Sequence, residues 1–534
     1  MFSRASRVVV ASLAGLICIT YFLLPGHASI LGPGGQQPFV LTEQDPHPVK
    51  RVAVIGAGAA GSSAAYYLKE YAEKHDYRVN ITIYERNNYI GGRTTTVHAY
   101  DDPEEPVELG GSIFVEVNKN MFDAAKLFGL PIAEFNSGST DGADELGIWD
   151  GKNFVITING GGLWETIKLV WRYGLSPLRT QSLVKQTVGN FLKMYEAPVF
   201  PWKSLTTTAY ELELLPATTN TGFEFLKANN IYPPFTTELI QASTRVNYAS
   251  NLGHIHGLET MVAMSTDGAM AIAGGNWRIF DKMAQTSKAG IHLETRVTNI
   301  ERVQDKHTWT VNALKSEGGV ETQSFEDEYD EVIIATPWQF SNITSKSIPA
   351  PEEIKYVKLH VTLFASPYRL SPKYFNSDGD LVPDMILTTV PEGYDPHYRS
   401  VGPAKFWSVN ILRTLDRKLE NGVKRREYLY KVFSPEPWTD EQIYEMMGLP
   451  KDTKNALSWS HRKLWHAYPA EEPRSAFQEA QLDFGVWYTA GMEAFISCME
   501  TMSLSGKNVA ANIVEGWVSA HRSEEVPGQH DKPI

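Results

Sequence analysis

The residues with the clearest chemical potential are a glycine-rich turn and an acid that follows it. Gly56-Ala57-Gly58-Ala59-Ala60-Gly61 fits the GxGxxG pattern and comes directly after the apolar run 51–55. In this pattern the first glycine permits a tight turn, the second lets the backbone approach a pyrophosphate, and the third allows close packing of helix on strand. Glu85 ends a second apolar run, 79–84, and its carboxylate can accept hydrogen bonds from both hydroxyls of an adenosine ribose. This arrangement predicts a dinucleotide site.

A second glycine pair indicates which dinucleotide is bound. After Glu85 and Arg86 the chain reaches Gly91-Gly92-Arg93. This stretch resembles the second fingerprint of flavoprotein oxidases related to the amine oxidases and phytoene desaturases, which ordinary NAD-dependent dehydrogenases lack. The resemblance favours FAD over a nicotinamide cofactor.

Four later segments resemble elements that surround FAD in such oxidases. Glu108-Leu109-Gly110-Gly111-Ser112 would lie beside the flavin ring, and Val297 would pair its backbone with adenine. Ala335-Thr336 ends a buried strand, 329–334, that would pass under the cofactor. Gly491-Met492-Glu493 precedes an alanine-rich helix near 503–514 that would close on the ribityl chain and pyrophosphate. The expected cofactor contacts are Gly56, Gly58, Ala59, Ala60, Gly61, Glu85, Arg86, Gly92, Arg93, Gly110, Gly111, Ser112, Val297, Ala335, Thr336, Gly491, Met492 and Glu493.

These motifs are spread along the chain, so the elements that position them must form a discontinuous domain. We expect an α/β fold in which a Rossmann-type FAD-binding domain, 50–135, 270–345 and 480–520, is interleaved with an α+β substrate domain. Residues 136–269 and 346–479 form that second domain, with helices predicted at 164–173, 181–195 and 210–215. Strands are predicted at 358–364, 405–412 and 428–433, and 521–534 form a tail. Aromatic residues at helical spacing in 162–225 are typical of a core and also suit a pocket for an apolar ligand.

Composition excludes some classes of function. The 534 residues suffice for two or three domains, and the formal net charge of −13 argues against general nucleic-acid binding. No metal-ligand cluster, Ser-His-Asp set or carboxylate pair stands out in the sequence. Cys18 and Cys498 are the two cysteines. Cys498 lies among apolar residues and is interpreted as a packing residue rather than a nucleophile.

The amino terminus has the character of a targeting segment. Arg4 and Arg7 precede the uncharged run 8–24, and small residues follow at 26–29. This pattern predicts a signal peptide, 1–28, with an uncleaved anchor as the alternative, and a linker, 29–49. The expected location is the secretory pathway, as a lysosomal, vacuolar or secreted protein, with peripheral membrane association left open. Of two glycosylation sequons, Asn342 is the better candidate because Asn80 falls in a strand expected to be buried.

The order of elements from about 50 to 520 resembles the prenylcysteine oxidase (prenylcysteine lyase) family. The discriminating stretches are Arg245-Val246-Asn247-Tyr248, Gly274-Gly275-Asn276-Trp277 and Ser503 to Ala511. The resemblance implies that Asn247, Tyr248, Asn276 and Trp277 contact substrate. Family members continue with Tyr-Gly-Gln after the asparagine that corresponds to Asn247, whereas this chain reads Tyr248-Ala249-Ser250.

The resemblance also implies a reaction. Farnesyl- or geranylgeranyl-cysteine would lose a hydride to flavin from the carbon between sulfur and the alkene, and water would then attack. Cysteine, the prenyl aldehyde and hydrogen peroxide would form, with molecular oxygen as the final acceptor. His254, His256 and Glu493 are the candidate general bases for the water step. Each also has a structural interpretation, as a core or surface histidine or as a cofactor-positioning acid.

Two other interpretations stay open at this point. The chain could be a different flavin oxidase or desaturase, acting on an amine or an isoprenoid. Amine oxidation would usually be accompanied by an aromatic cage and a lysine-held water, a role that the sequence does not assign to Lys355 or Lys358. Alternatively, it could be a secreted flavoprotein that binds a prenyl group or lipid without catalysis.

Overall fold

The glycine motif joins the first strand to the first helix of a parallel sheet. The computed structural model describes residues 48–134, 138–139, 141–143, 145–159, 163–395, 397–418 and 422–525. The expected signal peptide, most of the expected linker and residues 526–534 lie outside these ranges.

Strands and helices are numbered along the chain. The strands are β1 (Lys50–Ile55), β2 (Val79–Tyr84), β3 (Thr96–His98), β4 (Pro106–Glu108), β5 (Ile132–Glu134), β6 (Leu146–Trp149), β7 (Phe154–Ile158), β8 (Met270–Ile272), β9 (Gly290–His292), β10 (Thr295–Arg302), β11 (Trp309–Glu317), β12 (Val320–Tyr329), β13 (Glu331–Ile334), β14 (Tyr356–Ser366), β15 (Met385–Thr388), β16 (Ser408–Lys418), β17 (Lys424–Ser434), β18 (Trp459–Pro469), β19 (Gln481–Asp483) and β20 (Val486–Tyr488). The helices are α1 (Ala59–Lys74), α2 (Lys119–Leu127), α3 (Leu163–Tyr173), α4 (Ser176–Leu192), α5 (Leu205–Glu211), α6 (Leu215–Thr218), α7 (Gly222–Ala228), α8 (Gln241–Tyr248), α9 (Gly257–Ala263), α10 (Trp277–Thr286), α11 (Trp338–Ser341), α12 (Asp440–Met446) and α13 (Met499–Glu525).

The first sheet has the order β19-β20-β13-β1-β2-β9. Strands β1, β2, β9, β13 and β20 run parallel, and β19 pairs antiparallel at the edge. Val52, Val54 and Ile83 are fully buried because helices cover this sheet. All six strands come from the three segments expected to bind the cofactor. The fold is therefore α/β with a Rossmann-type sheet.

Helices α1 and α13 come from opposite ends of the chain and pack tightly together. A Cβ at Gly506 of α13 would overlap the Ala60 carbonyl oxygen of α1. Ser63 and Ser503 share a hydrogen bond of 2.8 Å across this contact. Since α13 begins beside the first sheet, its amino-terminal end lies close to the glycine motif.

The second sheet is mixed and has the order β18-β14-β17-β16-β15-β6-β7. One side shares a hydrophobic cluster with the helices of 163–264, including Ile148, Leu387 and Phe191. Another cluster contains the stacked Phe364 and Tyr430 together with Trp438. The second sheet and these helices come from the two segments that we expect to form the substrate domain.

Several local predictions differ from the structure. Asn80 is exposed rather than buried, because it lies at the amino end of β2 where the burial that begins at Ile81 has not started. The helix predicted at 210–215 is interrupted at Glu213, whose φ is 57°, so that α5 and α6 are separate. Helix α13 continues to Glu525, so the first part of the expected tail is helical. Within the described residues no helix is long and apolar enough to cross a membrane.

Candidate active site

A cavity of about 680 Å³ opens at the carboxyl ends of β1, β2 and β13. This edge of a parallel sheet is where α/β folds bind nucleotides. Thirteen of the expected cofactor residues line it: Gly56, Gly58, Ala59, Ala60, Glu85, Arg86, Gly92, Arg93, Gly111, Val297, Ala335, Thr336 and Glu493. We call this cavity the cofactor cleft.

The glycines of the cleft allow backbone segments to approach one another and a ligand. Gly56 has φ +104°, and a Cβ there would lie 2.9 Å from the Ala335 carbonyl oxygen. Gly58 and Gly91 form a parallel bridge, and the Gly91 N–H donates to Ala57 O at 2.9 Å. At Gly58, by contrast, a Cβ would have no protein atom closer than 3.9 Å. The open side of Gly58 therefore fits close approach of a pyrophosphate.

Glu85 is held at the cleft by its own loop. Its Oε2 accepts the Ala57 N–H at 2.8 Å, and its Oε1 accepts the backbone and side-chain N–H groups of Asn87 at 2.8 and 2.7 Å. A carboxylate offers about four acceptor positions, so about one remains on Oε2. This position suits a ribose hydroxyl, and the expected contact with both hydroxyls stays a prediction.

An ion pair between the partly exposed Arg93 and the buried Glu493 lines the cleft. Arg93 Nη2 lies 2.7 Å from Glu493 Oε1, and the Glu493 side chain is fully buried. The Tyr356 hydroxyl donates to Glu493 Oε2 at 2.6 Å, and Arg93 Nη1 donates to Ala467 O at 3.0 Å. These contacts position the Arg93 guanidinium between the two sheets.

A second cavity of about 340 Å³ adjoins the cleft, and we call it the chamber. The two cavities share lining residues: Arg93, Gly111, Trp465, Ala467, Tyr468, Ser497, Cys498 and Met499. Most of the other chamber residues are apolar or aromatic, and they include Phe114, Val115, Met121, Phe191, Leu192, Val246, Val262, Leu359, Met385, Leu387, Leu412 and Phe433. Gly110 and Ser112 line the chamber rather than the cleft. The stretch 110–112 therefore forms part of the boundary between a dinucleotide site and an apolar space.

The expected substrate residues divide into two groups. Asn247 and Tyr248 line the chamber, at the end of α8. Asn276 and Trp277 line neither cavity. Asn276 is buried and connects two segments: its N–H donates to Glu108 Oε1 at 2.7 Å, and its Nδ2 donates to Gly111 O at 3.0 Å. The Trp277 Nε1 donates to Gly274 O at 3.2 Å. Both residues therefore support the glycine loops instead of contacting a ligand in the chamber.

Two expected general bases lie away from both cavities. His254 Nε2 contacts His397 O at 2.7 Å in a loop. His256 is fully buried, and its Nδ1 accepts the Glu259 N–H at the start of α9. Burial lowers the pKa of His256 to about 4, so its ring is neutral near pH 7. Of the three candidates, Glu493 is the one that lines the cleft.

His256 belongs to a buried group of ionisable residues behind Ser497. Its Nε2 lies 3.4 Å from Glu471 Oε2, and Glu259 lies close enough to interact electrostatically with both. The Tyr248 side chain and the Ser497 backbone lie within hydrogen-bonding reach of Glu259, and the Ser497 backbone also lies within reach of Glu471. Burial raises the pKa of both carboxyl groups well above the usual range, and their mutual repulsion adds to this for Glu259. Burial therefore favours the protonated, neutral form of the Glu259 and Glu471 carboxyl groups, beside a neutral His256 ring.

Three other expected cofactor residues line neither cavity. A Cβ at Gly61 would overlap the Gly56 carbonyl oxygen, so this glycine serves the packing of helix on strand. Gly491 and Met492 lie buried in a short 3-10 turn, where a Cβ at Gly491 would lie 2.7 Å from Gln478 O. The asparagines of both sequons are exposed, and Asn342 also lines the cofactor cleft.

Sequence reasoning missed Lys431, which lines the chamber. Its strand was predicted, but a lysine at a buried strand position is read as an ordinary surface residue without tertiary contacts. Lys355 and Lys358, which the sequence left unassigned, are exposed, and Lys355 pairs with Glu472. The interpretation of Cys498 as a packing residue omitted its place on the shared wall of the two cavities.

The sheet, the glycine loops and the acid at position 85 define an FAD-binding oxidoreductase of the Rossmann type. Residues 54–127 match the model of the NAD(P)-binding Rossmann-like domain. Solved structures agree at the level of fold. A putrescine oxidase triple mutant has a TM-score of 0.54 at 12% identity over 88% of this chain and 99% of that chain. A fatty acid isomerase from P. acnes has a TM-score of 0.53 at 13% identity over 87% and 98%.

Residues 160–526 match the family model of prenylcysteine lyase. The chain belongs to the prenylcysteine lyase family. It is 28% identical to farnesylcysteine lyase of Arabidopsis thaliana over 88% of this chain and 89% of that relative. It is 27% identical to prenylcysteine oxidase 1 of Homo sapiens over 88% of this chain and 90% of that relative. The resemblance inferred from the motifs is confirmed.

Proposed function

We propose that this protein is an FAD-dependent oxidase that cleaves the thioether of farnesyl- or geranylgeranyl-cysteine with oxygen and water. The products would be cysteine, the prenyl aldehyde and hydrogen peroxide. The observation that carries the proposal is the apolar chamber, which shares a wall with the cofactor cleft. The activities in the names of its relatives support the same substrate class.

The residues of the cleft fit FAD. The open face of Gly58 would admit the pyrophosphate, and the remaining acceptor position of Glu85 would suit a ribose hydroxyl. Val297 lines the same cleft, where its backbone could pair with adenine. Met499, where α13 begins, lines the cleft, so the positive end of the helix dipole favours negative charge there. When bound, the flavin supplies an acceptor for a hydride.

The chamber residues bind and orient the other reactant. Apolar walls formed by the second sheet and α4 bury a prenyl chain and exclude bulk water. Glu493 stays paired with Arg93 and Tyr356, so its carboxylate holds the guanidinium at the boundary of the two cavities. Its expected part as a general base remains a prediction.

The test is an anaerobic spectrum of the purified holoenzyme. We expect S-farnesylcysteine to bleach the flavin, and readmitted oxygen to restore the colour with one peroxide released per aldehyde. Putrescine serves as the comparison substrate. A protein that keeps its flavin oxidised with both prenylcysteines, yet is bleached by putrescine, would be an amine oxidase instead. Binding of S-farnesylcysteine without bleaching would favour the non-catalytic carrier.

We also propose peripheral association with anionic membranes through the tip of α3 and α4. This tip exposes apolar side chains, with Trp171 89% exposed and Leu175 58% exposed. Lys168 and Arg179 are exposed beside them, although the whole chain is acidic. At its other end, α4 lines the chamber through Val188, Phe191 and Leu192. A tip that enters the headgroup region would therefore place the chamber near a source of prenyl lipids.

Vesicle sedimentation tests this association. Wild-type protein should sediment with vesicles that contain phosphatidylserine, and Trp171→Glu with Leu175→Glu should release it. Phe484→Glu is the matched control, because Phe484 is 61% exposed at the β19–β20 turn. Equal release by the control, or no sedimentation of the wild type, would reject the proposal. The secretory location, which the sequence predicts from its leader, is proposed on that basis alone.

A further inference from the structure

Lys431 is a buried lysine whose side chain lines an otherwise mostly apolar chamber. It lies on β17 and is 5% exposed. Its Nζ donates to the backbone carbonyl of Glu108 at 2.8 Å and to Ser112 Oγ at 3.0 Å. The Ser112 hydroxyl donates its own hydrogen to Gly110 O at 2.8 Å, so it accepts from Lys431. An ammonium has three donors, and two are accounted for by these bonds.

Lys431 is a buried cation whose hydrogen bonds go to uncharged oxygens. Arg93 is paired with Glu493, and Glu500 accepts the N–H groups of Asn120 and Met121 at 2.9 Å. Both hydrogen-bond partners given above for Lys431 are uncharged oxygens. Burial lowers the pKa of Lys431 to about 8, and the nearby Glu108 carboxyl opposes that shift. A buried ammonium without a hydrogen-bonded carboxylate is costly, and an anionic group of a ligand would reduce that cost.

We propose that Lys431 binds the α-carboxylate of the cysteine part of the substrate, and so selects amino-acid thioethers over other prenyl compounds. The inference rests on the proposed function and names how its substrate is recognised. The prenyl chain would occupy the apolar remainder of the chamber.

The position of Lys431 fits the geometry of such a substrate. Its two partners, Glu108 and Ser112, flank Gly111, which lines both the chamber and the cleft. In prenylcysteine only the α-carbon, the β-carbon and the sulfur separate the carboxylate from the reactive methylene. A carboxylate held on Lys431 would therefore keep the sulfur and that methylene close to the wall between the two cavities.

The interaction should depend on pH. Lys431 loses its proton above about pH 8, so carboxylate binding should weaken there. Among the described residues, the other charged groups that line the chamber are Arg93 and Glu500, and Glu108 and Glu493 lie beside them. Burial raises the pKa of Glu108 and of Glu500 to about 7. A thioether that lacks the carboxylate is subject to the same titrations of Glu108 and Glu500. The part of the pH-dependent difference between the two ligands that Lys431→Met abolishes is therefore assigned to Lys431.

The experiment compares S-farnesylcysteine with S-farnesylcysteamine, which lacks only the carboxylate. Calorimetry on the holoenzyme uses the saturated analogues S-dodecylcysteine and S-dodecylcysteamine, which lack the allylic alkene. We expect Lys431→Met to weaken S-dodecylcysteine binding and to raise KM for S-farnesylcysteine by about 10- to 100-fold, the loss typical of one hydrogen bond to a charged group. Affinity for the cysteamine analogue should change by no more than about threefold. Lys431→Arg, which keeps the charge, should recover part of the loss.

Lys424→Met is the matched control, since Lys424 is exposed on the same strand. Equal weakening of both analogues by Lys431→Met would overturn the inference, and so would equal affinity of the wild type for both. A fall in kcat with unchanged affinity would overturn it too, because it would assign Lys431 to a chemical step. If the wild-type flavin is reduced by neither farnesyl thioether, the proposed function fails, while calorimetry with the saturated analogues still tests the carboxylate contact.

Discussion

Replacing Gly58 with alanine separates cofactor binding from folding, because the protein itself leaves room for the added methyl group. The nearest atoms to a Cβ at this position are Gly92 Cα at 3.9 Å and Gly91 O at 4.0 Å. The φ of Gly58 is −79°, which any residue adopts. The methyl group would instead project toward the place where we expect the pyrophosphate.

The expected effects can be estimated separately. Gly58 is the N-cap of α1, where alanine is less favourable than glycine by roughly 0.5–1 kcal/mol. Alanine also has less conformational freedom than glycine in the unfolded chain, and this stabilises the folded state by roughly 0.4–1 kcal/mol. The free energy of unfolding of the apoprotein should therefore change by less than about 0.5 kcal/mol. The Kd for FAD should rise at least about tenfold, which corresponds to about 1.4 kcal/mol.

Two measurements test this estimate on deflavinated protein. Urea unfolding gives the stability of the apoprotein, and quenching of flavin fluorescence during titration gives the Kd. Gly516→Ala is the control, because no atom lies within 4 Å of a Cβ at this exposed position of α13. It should stabilise the helix by up to about 1 kcal/mol and leave the Kd for FAD unchanged. An unchanged Kd in Gly58→Ala, or an unfolded apoprotein, would refute the reasoning.

Three further outcomes follow from burial and close packing. Gly61→Ala should prevent accumulation of folded protein in a solubility assay, since its Cβ would overlap the Gly56 carbonyl oxygen, and normal yield and FAD content would contradict this. Burial raises the pKa of Glu259 in the folded protein well above its usual value of 4.5. The contribution of this shift to the free energy of unfolding is therefore complete below about pH 4.5, and it is lost as the pH rises through the folded-state pKa. Glu259→Gln should therefore flatten the decline of Tm as the pH rises above the usual pKa of 4.5, and an unchanged slope would argue against a raised pKa. Burial raises the pKa of Cys498 to about 12, so peptide mapping after iodoacetamide treatment at pH 8 should find it alkylated only in denatured protein.

Much of the cofactor site could be predicted because its signals are local. Gly56, Gly58 and Glu85 lie within one βαβ unit, where a turn, a helix start and a strand end follow one another along the chain. The requirement for glycine arises from backbone geometry within a few residues. The expected alternation of cofactor and substrate segments likewise followed from changes in apolar pattern, although β18, with most of its residues at least partly exposed, carries too weak a pattern to be recognised.

Other assignments failed because burial is set by contacts between distant segments. His256 and Asn276 have residue types suited to catalysis and binding, yet α9 and the glycine loops enclose them away from both cavities. Asn80 lies in a strand, as expected, but its end of the strand is uncovered. Sequence periodicity predicts which faces are apolar, and it does not tell which face a later segment covers.

The amino-acid sequence alone was sufficient to indicate the Rossmann motif, FAD as the cofactor and the family, since each depends on short contiguous patterns. Tertiary structure alone decided where the chamber lies, which candidates face it and that Lys431 belongs to it. Lys431 and Ser112 are 319 positions apart in sequence and 3.0 Å apart in the fold. A cavity is a property of the surfaces that meet around it, and these surfaces are brought together only when the two sheets and their helices pack.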